Sequence, residues 1–120
     1  MSKRWYIADM FWPAEGEINT YNSHESICVL NTSKQDAEIK ITLYYEDADP
    51  VLLEPVCCAA QRTHHIRMDK IKDCDGNHIR REVPYAACVK SDVKLIVQYT
   101  RLDTVQPNCS LMSVMAAKYK

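Results

Sequence analysis

Between Ala37 and Tyr45 the chain alternates without a slip. Ala37, Ile39, Ile41, Leu43 and Tyr45 take one parity, and Glu38, Lys40, Thr42 and Tyr44 take the other. Successive side chains leave a strand on opposite faces, so this period of two predicts a strand with one face in a core and one in water. Just upstream, Ser26-Ile27-Cys28-Val29-Leu30 is apolar on both parities, the pattern of a strand covered on both faces. Residues 31–36 between them are polar and turn-like, so the two segments are expected to pair as an antiparallel hairpin.

The same grammar continues along the chain. Glu46–Pro50 reads as a turn, and Val51–Ala59 as an extended stretch that Pro55 breaks or confines to an edge. Gln61–Met68 is a further strand, ended by the charged run Asp69–Gly76. Tyr85–Val89 and Lys94–Leu102 suggest a second hairpin around Ser91-Asp92. The tail Ser110–Ala117 is apolar on both parities and fits strand or helix, and its strand neighbours favour strand. Residues 9–23 form a long stretch of weak periodicity, and such loops tend to carry function or line an interface. No segment has a capped 3.6-residue stripe. Short strands at turn spacing predict an all-β fold, a single-domain antiparallel β-sandwich over residues 1–120. With only two glycines, Asn and Asp must supply most of the turn geometry.

Size and charge bound the function. A chain of 120 residues can hide roughly two-thirds of its unfolded surface, enough for one core without staples. Its 15 Lys+Arg and 16 Asp+Glu give a net charge of −1, which argues against nucleic acid as a partner. The opening Met1-Ser2-Lys3-Arg4-Trp5 leads into no signal-peptide run, and no apolar stretch is long enough to span a bilayer as a helix. The expected location is therefore the cytoplasm, and the six cysteines are expected to be free thiols, mostly small core residues. There is no C-x-x-C pair.

Motifs for chemistry are sparse. His64-His65 on a strand would point to opposite faces, which disfavours one shared ion, and no metal or cofactor is expected. Neither a G-x-S-x-G elbow nor a glycine-rich phosphate loop occurs, so the chain reads as a non-enzyme. More telling are charges on apolar faces. Arg101 and Asp103 continue the parity of Leu95, Val97 and Tyr99, and Glu25 shares a face with Ile27 and Val29. The Arg101 guanidinium should be held by a carboxylate, with Glu25 or Asp103 nearest by pattern. Such a cluster would be either a ligand or partner site or a structural seal at a subunit interface.

Five segments, in order, resemble the sensory rhodopsin transducer family. They are Trp5-Tyr6-Ile7-Ala8-Asp9, Ser23–Asn31, Ile39–Tyr45, Arg62-Thr63-His64-His65-Ile66-Arg67 and Val97–Asp103. The chain departs from the family at Met10-Phe11, where Gly-Tyr is common, around Cys57-Cys58, and over Asp73–Arg81. The resemblance implies a cytosolic β-sandwich that assembles as a homotetramer, with a signalling or small-molecule (sugar-like) binding role. It also implies a membrane photoreceptor or another signalling protein as partner. Carried over by position, the candidate ligand-binding residues are Asp9, His24, Glu25, Arg62, His65, Arg101 and Asp103.

Overall fold

The computed structural model describes residues 3–15, 22–106 and 108–119; part of the long first loop therefore lies outside the described residues. Among the described residues ten strands run in order: β1 (Lys3–Phe11), β2 (His24–Asn31), β3 (Ala37–Tyr45), β4 (Val51–Leu52), β5 (Val56–Cys58), β6 (Arg62–Arg67), β7 (Pro84–Ser91), β8 (Ile96–Asp103), β9 (Ser110–Met115) and β10 (Ala117–Tyr119). They form two antiparallel sheets. The larger is ordered β10-β1-β7-β3-β4, with β5 also on β3, and the smaller is β6-β2-β8-β9. Described residues contain no helix, and none long and apolar enough to cross a membrane. The all-β sandwich expected from the sequence is what the chain forms.

The core lies between the sheets. From the larger sheet come Trp5, Ile7, Ile39, Ile41, Leu43 and Val89, and from the smaller Ile27, Val29, Val97 and Tyr99, all buried. Fully burying one such side chain is worth about 1.5–3 kcal/mol. In β3 Ala37, Ile39, Ile41 and Leu43 are buried, Tyr45 at the strand end is half-buried, and Glu38, Lys40 and Tyr44 are exposed, as period two demands. The broken strand also appears: β4 and β5 pair with separate stretches of one edge of β3, and Pro55 lies in the gap. The tail is strand, not helix.

Two expectations fail in the same way. Neither expected hairpin exists, because β2 pairs with β6 and β8 while β3 pairs with β7, β4 and β5. The links from β2 to β3 and from β7 to β8 arch from one sheet to the other. Four or five extended residues span the roughly 10 Å between packed sheets as easily as they turn back. The arches are fastened by side chains. Buried Asn31 donates from Nδ2 to the carbonyls of Gln35 at 2.7 Å and Cys58 at 3.1 Å. Its Oδ1 accepts from the Ser33 amide at 3.0 Å. Asp92 Oδ1 accepts from the Glu38 amide at 3.0 Å, and Val93 and Leu95 plug the other arch. Asp36, Asp73 and Asp103 likewise accept amides in or beside turns, so Asn and Asp do shape the connections.

The six cysteines are free thiols, but only Cys58 and Cys88 are buried. Cys57 and Cys74 are exposed, which corrects the expectation of a mostly core set. Cys57 lies on the three-residue β5 and Cys74 in a turn, and both positions are at the surface.

Candidate functional site

At one end of the sandwich the inward faces turn polar. Glu25 is the second residue of β2 and stands directly opposite Arg101 of β8, both on the core side. Glu25 is 0% exposed. Tyr85 reaches across from β7 and donates its hydroxyl to Glu25 Oε1 at 2.5 Å, and Tyr99 of β8 donates to Oε2. Arg101 Nε donates to the Tyr99 oxygen at 3.1 Å, and the Phe11 amide donates to it at 3.3 Å. The guanidinium therefore meets Glu25 through a tyrosine. Its other side faces outward, with Nη2 3.6 Å from Asp9 Oδ1 and its carbon 5.9 Å from the Phe11 ring centre.

This corrects the expected pairing. The carboxylate on Arg101 is that of Asp9, not Glu25 or Asp103. A β-bulge explains it: the β1–β7 register shifts between Ile7 and Met10, so both of those residues point inward. An inserted residue re-aims its neighbours. Asp9 is thrown to the rim, where its side chain is 87% exposed beside an Arg101 side chain that is 16% exposed.

Electrostatics follow from burial. Burial pushes the Glu25 carboxyl above the usual carboxylate range, and the two tyrosine hydroxyls and Arg101 pull it partly back. Tyr85 and Tyr99 are raised by burial and then by the adjacent Glu25 charge, so both remain donors. Burial alone would lower Arg101, but the Tyr99 hydroxyl, Asp9 and Glu25 hold it up. Among the described residues no buried side-chain nitrogen or oxygen lacks a partner.

Beside the cluster the sandwich is open. β10 covers β1 only over Arg4–Tyr6, leaving the rest of that edge to face β9. A groove of about 720 Å³ lies there, lined by Ile7, Ala8, Asp9, Met112, Val114 and Met115. A second hollow of about 420 Å³ lies on the other side of Asp9, against Tyr44, Glu46 and Tyr85. The first loop is tied down nearby: the Trp12 indole donates to the Ser23 carbonyl at 3.0 Å, beneath the Arg81 guanidinium at 4.2 Å.

Of the residues expected from the sequence, the fold gathers Asp9, Glu25 and Arg101. His24 and Asp103 stand at adjoining strand ends; His24 Nδ1 is 2.9 Å from the Asn22 carbonyl, and Asp103 accepts the Val105 amide. Arg62 and His65 stand apart. His65 lies opposite Cys28 on the outer face, and Arg62 lies opposite Asn31, six residues or roughly 20 Å along β2 from Glu25. Among the described residues no group of three His, Cys, Asp or Glu side chains is placed to hold a metal ion. Tyr85 and Phe11 were missed: Tyr85 carries only the signal of a core aromatic, and Phe11 sits past the bulge.

An all-β sandwich with a buried, tyrosine-held acid linked through Tyr99 to an Arg101–Asp9 rim is thus the class defined by fold and site. The chain belongs to the Anabaena sensory rhodopsin transducer family, whose sequence pattern matches residues 2–118. A crystal structure of Thermotoga maritima 1070 is similar, with TM-score 0.80 and 30% identity over 95% of this chain and 91% of that one. The Anabaena sensory rhodopsin transducer itself is similar with TM-score 0.68 and 31% identity, over 82% of this chain and 94% of that one. No curated protein matches the chain.

Proposed function

We propose that this protein is a non-enzymatic cytoplasmic signalling module that binds a small, polyol- or sugar-like molecule at the Arg101–Asp9 rim. The observation that carries this reading is the asymmetry of Arg101. One side of its guanidinium is anchored through Tyr99 to buried Glu25, and the other meets an exposed Asp9 at a loose 3.6 Å. Donor and acceptor are presented together beside the Phe11 ring, and Asp9 also lines a groove within the roughly 300–1,000 Å³ range of small-molecule sites. Glu25 sets the geometry from below while its own oxygens are occupied, which suits binding better than proton transfer.

Partners follow from the same reading. The outer face of the smaller sheet exposes Leu30, Ile96, Leu111 and Met115, the last two at 71% and 62%. Register places Leu30 beside Ile96 and Met115 beside Gln98 in one patch. Exposed apolar patches of this kind mark association surfaces, which supports a homo-oligomer, with a tetramer as the assembly. One relative is a sensory rhodopsin transducer, so a membrane photoreceptor or another signalling protein is the proposed downstream or upstream contact.

The test is a thermal-shift and calorimetric screen of monosaccharides, disaccharides and polyols against wild type and Arg101→Ala. A ligand should stabilise the wild type and fail on the variant. The variant should keep its oligomeric mass and lose only about 1 kcal/mol, since the Asp9 side of the pair is open to water. The full burial of Glu25 favours a second reading, a structural seal at a subunit interface. A variant that loses several kcal/mol or its assembly, with no ligand active on the wild type, would establish that reading instead.

A further inference from the structure

The outer face of the larger sheet carries a row of cations that the rim site does not use. Lys90, at the centre of the sheet, stands opposite Arg4 on one side and Lys40 on the other. All three share the outward parity, and adjacent strands are about 4.8 Å apart, so three positive charges line up within roughly 10 Å. Among the described residues none of the three ion-pairs with a carboxylate. Glu38 and Asp92 line one hollow with Lys40 and Lys90, and Asp92 Oδ1 accepts the Glu38 amide. Like charges directly opposite on a sheet destabilise it, so the row works against the fold unless an anion joins it.

The next row makes the place a hollow instead of a flat charge. Tyr6, Cys88 and Thr42 stand side by side in it. Tyr44 and Leu52 close one wall around a volume of about 320 Å³. From this geometry we infer that Arg4, Lys40 and Lys90 form a second binding site, for the phosphate group of a small phosphorylated molecule. The hydroxyl of Thr42 supplies a further donor, and the Tyr44–Leu52 wall takes the organic part. This site goes beyond the proposed function; it lies on the opposite side of the larger sheet from Glu25.

The experiment is an amide-resolved NMR titration of the full chain with inorganic phosphate and pyrophosphate at low salt. Signals of Arg4, Lys40, Thr42 and Lys90 should shift saturably, and binding should weaken as salt rises. Lys90→Met keeps the aliphatic stem and removes the charge. It should weaken pyrophosphate at least about tenfold, the loss of one charge-assisted bond, while Lys34→Met changes nothing. In phosphate-free buffer Lys90→Met should be at least as stable as wild type, since repulsion is relieved. A less stable variant, or shifts spread equally over all lysines, would overturn the site. Flotation with anionic phospholipid vesicles identifies the source. Co-flotation lost in Lys90→Met means a lipid headgroup, and none means a free metabolite. Flotation without any response to free phosphate would overturn the cradle and leave only diffuse attraction.

Discussion

Glu25 and Asn31 sit on the same strand, on the same parity, six residues apart, and both are 0% exposed. They close opposite ends of the sandwich with different chemistry. Asn31 is neutral, and most of its partners are backbone groups of the neighbouring arch and of β5. Backbone carbonyls have nowhere to go, so that end is a fixed fastening. Glu25 is an acid held by two tyrosine hydroxyls, and through one of them it reaches an arginine at an open rim. Side-chain partners can be re-aimed without undoing a sheet. A buried polar residue is thus locked to the fold when its partners are backbone, and stays linked to the surface when they are side chains leading to solvent.

Substitutions can break this contrast. Glu25→Ala should have the largest effect, at about 3 kcal/mol or more, because two buried hydroxyls lose their acceptor and a cavity opens. Urea unfolding measures it, and a loss below about 1 kcal/mol would mean that water replaces the carboxylate at no cost. Asn31→Ala should cost about 2 kcal/mol by stranding the carbonyls it now satisfies. It should leave ligand shifts at the rim unchanged, and altered ligand binding would show that the two ends are coupled.

The smallest effect is a dependence on pH. Burial raises the Glu25 pKa above that of an unfolded glutamate, about 4.3. Between that value and the raised one, the folded chain holds more protons than the unfolded chain. Stability from this group therefore falls as pH rises through the window and then levels off. Asp69 runs the other way: burial pushes it up, but the two hydrogen bonds from Arg67 outweigh it. Its contribution is lost as pH falls through its lowered pKa. Unfolding curves of wild type and Glu25→Gln across acidic pH should differ by the Glu25 slope alone. Parallel curves would put Glu25 at an ordinary pKa.

Much of this end of the molecule was legible as parity. The even–odd pattern of β8 placed Arg101 on the core face, and that of β2 placed Glu25 there, before any partner was known. Parity does not say which sheet a strand joins, so the arches at residues 31–36 and around Asp92 read as hairpins. It also fails at a bulge. One slip between Ile7 and Met10 moves Asp9 to the rim, and no residue type in that stretch announces it. Tyr85 was hidden differently, since an inward tyrosine reads as core until the acid across from it is placed. Arg62 and His65 entered only through the family resemblance, and the fold sets them away from Glu25.

The order of strands has a consequence for synthesis. Both neighbours of β1, namely β7 and β10, come from the last third of the chain. From the end of β1 to the start of β7 is roughly 70 residues, which a ribosome at about 5–20 residues per second needs roughly 4–14 s to add. Through that interval Trp5, Ile7 and Met10 wait on an unpaired strand with both edges bare. A strand made well before both its neighbours is thus among the last to be housed, and the nascent chain presents it to whatever chaperones attend the exit tunnel.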